Sequence, residues 1–558
     1  MRAVIATRLF AVLAAGAIAS VAFAQQPLVF KDAGDEAGLF PAVGKIAGHG
    51  VTWGDADGDG WADLYVGAFG GAPYGSKPNQ FFRNVKGKFE LDPQPQLKVL
   101  GRANGGVFAD FDNDGDLDLY ATNHAIDGGT ADPHYAEPNH LFRNEGGGKF
   151  TDVSKESNCC PPGIAARSAC ATDYDGDGLL DLVVGECFFQ GGQSRSRLYR
   201  NVGNFKFENV SQSAGLPVQL TGFGVAAGDV NGDGWPDLYF GGRHHGTRLF
   251  MNDGKGHFTE LPKDRGEFAW KYIDTPDDTV CGCTFGDVNR DGLVDILIGS
   301  HCDRPWFTGG VPVRLFLNRG IASGLPKFED VTEKVGLIPL PMKSPHVEIQ
   351  DFDNDGWPDI YTSIVKFAAN GQPHPVIFRG LGNKDGLPQF ATSALAVNDF
   401  PTEADKKDGD VTAVFGRMQK ENKIIYMAPG ASGDYNRDGK LDLFLANWWV
   451  ESRSLLLKNE TQGGHWLDVA VEGLKGTNRQ GIGAVVRVYP AGKLGDAASL
   501  LGQKEIAVGY GYASGQEAIA HFGLGELKNC DVEVILPHGK GKIEKKDVAG
   551  DQRIKIGG

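Results

Sequence analysis

Seven short stretches of the chain set acidic oxygens at alternate positions in front of an invariant glycine, in the pattern D-x-[DN]-x-D-G-x-x-D. They read DADGDGWAD from Asp55, DFDNDGDLD from Asp110, DYDGDGLLD from Asp173, DVNGDGWPD from Asp229, DVNRDGLVD from Asp287, DFDNDGWPD from Asp351 and DYNRDGKLD from Asp434. Alternate side chains at positions 1, 3 and 5 aim oxygens at one centre. The position-6 glycine permits the sharp turn, position 7 offers a backbone carbonyl, and an aspartate at position 9 closes the shell. The first candidate donor set is therefore Asp55, Asp57, Asp59, Trp61 (through its carbonyl) and Asp63. The second and third sets are Asp110, Asp112, Asp114, Asp116, Asp118 and Asp173, Asp175, Asp177, Leu179, Asp181. The fourth and fifth are Asp229, Asn231, Asp233, Trp235, Asp237 and Asp287, Asn289, Asp291, Leu293, Asp295. The last two are Asp351, Asp353, Asp355, Trp357, Asp359 and Asp434, Asn436, Asp438, Lys440, Asp442.

An all-oxygen, carboxylate-rich set of this spacing suits Ca2+, and the chain is expected to hold up to seven ions. Mg2+ prefers fewer carboxylates and retained waters, and Zn2+ would call for His or Cys ligands, which these loops lack. An EF-hand needs Glu at position 12 and a following helix. Here position 12 is Val66, Ala121, Val184, Phe240, Ile298, Thr362 or Leu445, each in a strand-like run. A metal-free turn with three or four crowded carboxylates would suffer repulsion and raised pKa values. Seven divalent ions would also offset most of the formal net charge of −16.

These loops need strands to hold them. Each is followed by an apolar run (LYVG, LYAT, LVVG, LYFG, ILIG, IYTS, LFLA). A second strand signal comes next (FFRN, LFRN, LYRN, LFMN, LFLN, IFRG, LLLKN), then a third such as FTDV, FENV, FTEL or FEDV. The loop starts are 55, 63, 56, 58, 64 and 83 residues apart. About four short β segments per unit, seven times over, predict an all-β fold, a seven-bladed β-propeller. A linear solenoid would use shorter repeats. FKDAGDEAGL at Phe30 is a third-strand copy lying ahead of the first loop, so the chain starts mid-repeat and Phe30 is expected to close the last blade.

The two ends read differently. Residues 1–24 carry Arg2 and Arg8, an apolar run and Ala22-Phe23-Ala24, the pattern of a secretory signal peptide. Residues 25–460 make the propeller. Residues 461–558 lack Asp loops, and the alternation in AVVRVY and VEVIL predicts a small C-terminal β-domain. The acidic balance excludes nucleic acid as a partner, and no later stretch is long and apolar enough for a membrane span.

The Asp loops and their flanks resemble the FG-GAP or VCBS repeats of integrin alpha-chain propellers and of bacterial exported proteins, over roughly residues 30–460. NRQGIGAVVRVY at Asn478, GYGYASGQ at Gly509, HFGLGE at His521 and VEVILPHGK at Val532 resemble the ASPIC/UnbV domain of the cartilage acidic protein family. Leu536 stands where that domain usually has Trp. The resemblance implies an extracellular or periplasmic interaction protein with a protein or glycan partner.

Eight cysteines remain. Cys170 with Cys187, and Cys283 with Cys302, share one offset about their loops, which predicts two cross-strand disulfides. His124, His134 and His140, or His244 and His245, are candidate second metal ligands, but surface roles fit them better. Trp306, Trp448 and Trp449 suit a core, or else a carbohydrate- or peptide-binding face. No nucleophile elbow, P-loop, HExxH or haem-attachment motif is present. A calcium-stiffened binding scaffold, helped by the long insertion 391–430, is the leading function. A polysaccharide-active enzyme such as a lyase, or a structural envelope component, are the alternatives.

Overall fold

The computed structural model describes residues 27–558, apart from 72–76, 126–132, 189–193, 243–245, 269–278, 302–305, 312, 339, 368–369, 392–423, 427–429, 449 and 451–452. Seven four-stranded antiparallel units follow one another. The first comprises Gly48–Gly54, Asp63–Ala68, Gln80–Asn84 and Phe89–Asp92. Blades two to six repeat the order through Ala103–Ala109, Ala166–Thr172, Val225–Gly228, Thr279–Gly286 and Glu348–Gln350 as innermost strands. The seventh joins Ser432–Gly433, Asp442–Leu445 and Leu455–Asn459 to Phe30–Asp32. Phe30 stands opposite Asn459 and Asp32 opposite Leu457, so the expected closure forms. It removes the exposed edge that a seven-unit stack would otherwise present.

The third strands of blades one and six, whose sequences at Phe89 and Phe390 depart from the FTDV-like pattern, still pair as outer strands, Asn84 with Phe89 and Gly380 with Phe390. Most of the core lies between blades. Trp53, Val51 and Leu64 of blade one pack with Phe444 and Leu456 of blade seven. Tyr65 and Phe81 pack with Phe108 and Leu119 of blade two.

Six of the seven blades are also tied to the one before by an asparagine ending the third strand. Asn84, Asn144, Asn201, Asn252, Asn318 and Asn459 donate through Nδ2 to the position-2 carbonyl of the preceding blade's Asp loop: Tyr435, Ala56, Phe111, Tyr174, Val230 and Phe352, at 2.7–3.1 Å. Asn84 reaching Tyr435 carries the chain of bonds from blade one back to blade seven. Blade six has Gly380 instead, where a Cβ would meet the Pro358 carbonyl at 2.3 Å. Asn383, three residues on, donates to Asn289 O at 2.6 Å in its place.

Residues after Thr461 form a three-stranded sheet (His465–Glu472, Ile519–Gly525, Gln552–Gly557) and a four-stranded one (Val485–Pro490, Gly502–Glu505, Asn529–Ile535, Lys542–Ala549). AVVRVY and VEVIL pair as read, Val488 opposite Val532. Between these sheets the GYGYASGQ segment enters the centre of the ring. Val508 bridges Ala171 of blade three and Gly511 bridges Cys283 of blade five. Tyr512 stacks on Phe223 of blade four, centroids 5.0 Å apart, and Ser514 pairs with Val51 of blade one. His346 Nδ1 of blade six accepts from Tyr512 N at 3.1 Å. A Cβ on Gly509 would lie 2.2 Å from the Ala169 carbonyl, and one on Gly511 2.4 Å from the His346 ring. These glycines let the segment pass through the narrow centre.

The cysteine expectation needs correcting. In blade three Thr172 stands opposite Asp181 and Cys170 opposite Val183, while Cys187 N bonds to Ala165 O. Cys170 and Cys187 thus do not face each other across the hairpin. Cys283 stands opposite Ile298, and Cys302 lies outside the described residues. The nine-residue loop fixes a register four positions from the one that the shared offset assumed. Residues 1–24, His244, His245, Trp449 and nearly all of the 391–430 insertion also lie outside the described residues, as does the Trp306 side chain.

The asparagine tie predicts that Asn201→Ala, which unpairs the Phe111 and Leu180 carbonyls, lowers stability by about 2–4 kcal/mol. Urea unfolding checks this. A change under about 0.5 kcal/mol, the level of an ordinary surface substitution, would remove the tie from the structure's supports.

Candidate metal centres

Every loop joins the first strand of its blade to the second and is wound by the same bonds. The position-6 glycine N–H donates to the position-1 carboxylate at 2.7–3.1 Å in all seven. These glycines have φ between 78° and 103°. The position-7 N–H (Trp61, Asp116, Leu179, Trp235, Leu293, Trp357, Lys440) donates to the position-5 Oδ1 at 2.7–3.1 Å. That bond orients the peptide next to the carbonyl proposed as a donor. Position 4 is left-handed as well, at Gly58, Asn113, Gly176, Gly232, Arg290, Asn354 and Arg437. The sequence pattern leaves that position free, although Gly and Asn, which tolerate such φ, fill five of the seven places.

The position-9 aspartates do more than the sequence suggests. Their Oδ1 accepts the backbone N–H of Asn84, Asn144, Asn201, Asn252, Asn318, Gly380 or Asn459 at 2.7–2.9 Å. In the first six loops Oδ2 accepts the position-2 N–H at 2.9–3.1 Å. The backbone of position 2 is thus held by its own loop through N–H in the first six, and by the next blade through C=O in six of the seven.

Carboxylate oxygens converge within 4.8 Å in four loops: Asp55, Asp57, Asp63; Asp110, Asp112, Asp118; Asp173, Asp175, Asp181; and Asp351, Asp353, Asp355. In the fourth, fifth and seventh loops an asparagine amide takes position 3. Asp55 Oδ1, Asp351 Oδ1 and Asp442 Oδ2 are buried with no hydrogen-bond partner. A buried acceptor in that state is costly unless a cation meets it. The donor set and these orphaned oxygens fit a hard divalent cation.

Burial, opposed in part by backbone N–H bonds and reinforced by neighbouring carboxylates, pushes these acids up. Asp55 and Asp229 rise to about 6, Asp110, Asp173, Asp287, Asp355 and Asp434 to about 7, and Asp63 to about 8. Asp118, Asp181, Asp237, Asp295, Asp359 and Asp442 are raised well above the carboxylate range.

The loop face of the ring is also the floor under the C-terminal sheets. Gln480 Oε1 accepts from Asp110 N and Arg479 N donates to Asn113 Oδ1. His538 Nε2 lies 3.0 Å from Asp173 O, and Glu505 accepts from Asp229 N at 2.9 Å. His521 links Asp468 to Asn354 of loop six at 2.7 and 2.8 Å. Among the histidines weighed as metal ligands, His140 and His124 have other neighbours. His140 sits between Glu137 and Asp152, which raise it to about 9 against the cost of its burial. His124 packs near Tyr135. Trp448 packs against His49 and Phe69.

A ring of seven four-stranded blades, each carrying this loop, followed by a second β unit, defines the class. The FG-GAP-like repeat family matches residues 55–121, 129–184, 185–240 and 229–298, and the family described as ASPIC and UnbV matches 474–557. The chain is an FG-GAP-repeat β-propeller with a C-terminal ASPIC/UnbV domain. It is similar to cartilage acidic protein 1 of Xenopus tropicalis, 26% identical over 519 residues, covering 88% of this chain and 70% of that protein. To the human cartilage acidic protein 1 it is 25% identical over 513 residues, covering 88% and 69%. Among solved structures, a mutant of AofleA from Arthrobotrys oligospora aligns at 13% identity and a TM-score of 0.32, covering 62% of this chain and 88% of that one. That last likeness carries nothing about function.

The raised acids give a signed pH expectation. A carboxylate whose folded pKa exceeds its unfolded value of about 4 holds its proton better when folded, so its contribution is lost as pH rises through the folded pKa. With a chelator present, the melting temperature is expected to fall from pH 5 to pH 8, across the range of about 6 to about 8 spanned by Asp55, Asp110, Asp173 and Asp63. Thermal melts at unit pH steps check this, and a flat or rising profile would contradict it.

Proposed function

We propose that the protein is an exported interaction scaffold whose propeller is stapled by up to seven Ca2+ ions. The supporting observation is the sevenfold repetition of one loop geometry, with unpartnered carboxylate oxygens in loops one, six and seven. In each loop the side-chain oxygens of positions 1, 3, 5 and 9 and the carbonyl of position 7 would hold the ion. For the first loop these are Asp55, Asp57, Asp59, Asp63 and Trp61. The ion supplies charge neutralisation and rigidity, and no reaction is assigned to it. The signal-peptide pattern of residues 1–24 supports export. The change in strand pattern after Thr461 supports a domain division at 460/461.

Two further observations favour a scaffold over an enzyme. The GYGYASGQ segment occupies the centre of the ring, where a propeller funnel would admit a substrate. The relatives are named as acidic cartilage proteins, and this chain is likewise acidic. The partner class is an extracellular or periplasmic protein or a glycan. No helix among the described residues is long and apolar enough to cross a membrane.

Metal analysis of the purified mature chain is expected to give up to seven calcium ions. EGTA should lower the melting temperature and calcium should restore it. Because the loops lie under the C-terminal sheets, hydrogen exchange at 507–516 should also quicken in EGTA. A calcium-free protein whose melting is unmoved by EGTA would refute the staple. A glycan array and a protein pull-down, each with and without chelator, test the scaffold. Depolymerisation of a polysaccharide would favour the enzyme reading.

A further inference from the structure

The residue just before the clasp asparagine varies with loop composition. Where position 3 is Asp (Asp57, Asp112, Asp175, Asp353), the third strand carries Arg83, Arg143, Arg200 or Arg379 at the corresponding place. Where position 3 is Asn (Asn231, Asn289, Asn436), it carries Met251, Leu317 or Lys458. The match holds in all seven blades.

The geometry explains the match. In the Asn loops the side-chain amide does two jobs. Its Oδ1 accepts the position-5 N–H, and its Nδ2 donates to the position-5 carboxylate: Asn231 to Asp233 at 2.9 Å, Asn289 to Asp291 at 3.0 Å, Asn436 to Asp438 at 3.1 Å. An aspartate at position 3 keeps the acceptor, as Asp175 Oδ1 does for Asp177 N, but has no donor. Arginine supplies it. Arg200 Nε donates to Asp175 Oδ2 at 2.5 Å and its Nη2 to Asp177 Oδ2 at 2.9 Å, bridging positions 3 and 5. Arg83 Nη1 donates to Asp57 Oδ2 at 3.0 Å, and Arg379 pairs with Asp353. In blade two Arg143 stands at the corresponding place and pairs with Glu145. Among the described residues Lys458 makes no ion pair with loop seven.

We propose that Arg83, Arg200 and Arg379, which contact the position-3 aspartate, are resident counter-ions that replace the asparagine amide, and that Arg143 holds the same place in blade two. Counted over positions 1, 3, 5 and 9 with the third-strand arginine, the loops then fall into two classes, four carboxylates with one arginine or three carboxylates with one amide, of the same formal charge of about −3. This rests on the calcium reading for its consequence, though not for the pairing itself. In the arginine class the guanidinium offsets the extra acid while no ion is bound, so the metal-free loop keeps its shape. It also keeps a four-carboxylate loop from binding far more tightly than its neighbours. These arginines are positioning residues.

A double-mutant cycle in the full chain tests this at loop three, using Arg200→Met and Asp175→Asn, which together copy loop four. In EGTA, R200M should melt a few degrees below wild type, and adding D175N should recover most of that loss. The rise in melting temperature on adding calcium should be larger for R200M than for wild type, and close to wild type for the double variant. R200K, with a point charge that cannot bridge both carboxylates, should fall between wild type and R200M, and it serves if R200M does not fold without calcium. Equal melting of R200M and the double variant in EGTA, or an unchanged calcium shift in R200M, would overturn the proposal. If wild type shows no calcium shift, the staple fails, while the EGTA cycle still decides the arginine–aspartate pairing.

Discussion

The peptide at position 2 of each Asp loop is the joint on which the ring depends. Its N–H is taken by the position-9 aspartate of its own loop in the first six blades. Its carbonyl is taken by the clasp asparagine of the next blade in six of the seven. That asparagine's backbone N–H is in turn bound by the position-9 aspartate of its own blade. One acidic residue and one amide therefore fix the loop, the second and third strands and the neighbouring blade together. Buried peptide groups of this kind are expensive to leave unpaired, so blades cannot shift past one another without breaking several bonds at once.

The same crowding that makes the joint rigid makes it electrostatically costly. Three or four carboxylates are drawn to one point behind apolar strands, and desolvation raises every position-1 and position-9 acid. The structure relieves this in graded ways: backbone N–H donors on the carboxylates, amides in place of acids in three loops, and arginines paired with the position-3 acid in three of the other four. What remains is a set of oxygen-lined loops, three of them with an unpartnered acceptor, whose chemistry suits a hard cation. A divalent ion would turn the most repulsive points of the ring into its firmest ones.

The C-terminal unit makes those loops into an interdomain surface. It rests on them through Gln480, Glu505, His521 and His538, and sends Tyr512 into the centre, where it meets Phe223 and His49. The order of the loops and the seating of this unit are therefore physically linked. A change in the one should be felt in the other, with no hinge required.

The sequence by itself determined the repeat, the number of blades, the positions of the Asp loops and the closing role of Phe30, because these follow from local spacing: period-two strands, a glycine turn and a copy out of place at the start. It also held the clasp asparagine in FFRN, LFRN and LYRN in plain view, without saying what the amide touches. Only the tertiary structure decided that Asn201 reaches Phe111, that Arg200 answers Asp175, and that GYGYASGQ lies at the centre of the ring, because each joins residues distant in sequence. The cysteine register shows the same boundary at short range. Cys170 and Cys187 share a hairpin, yet the loop's own bonds, and not the count of residues, set which positions face each other.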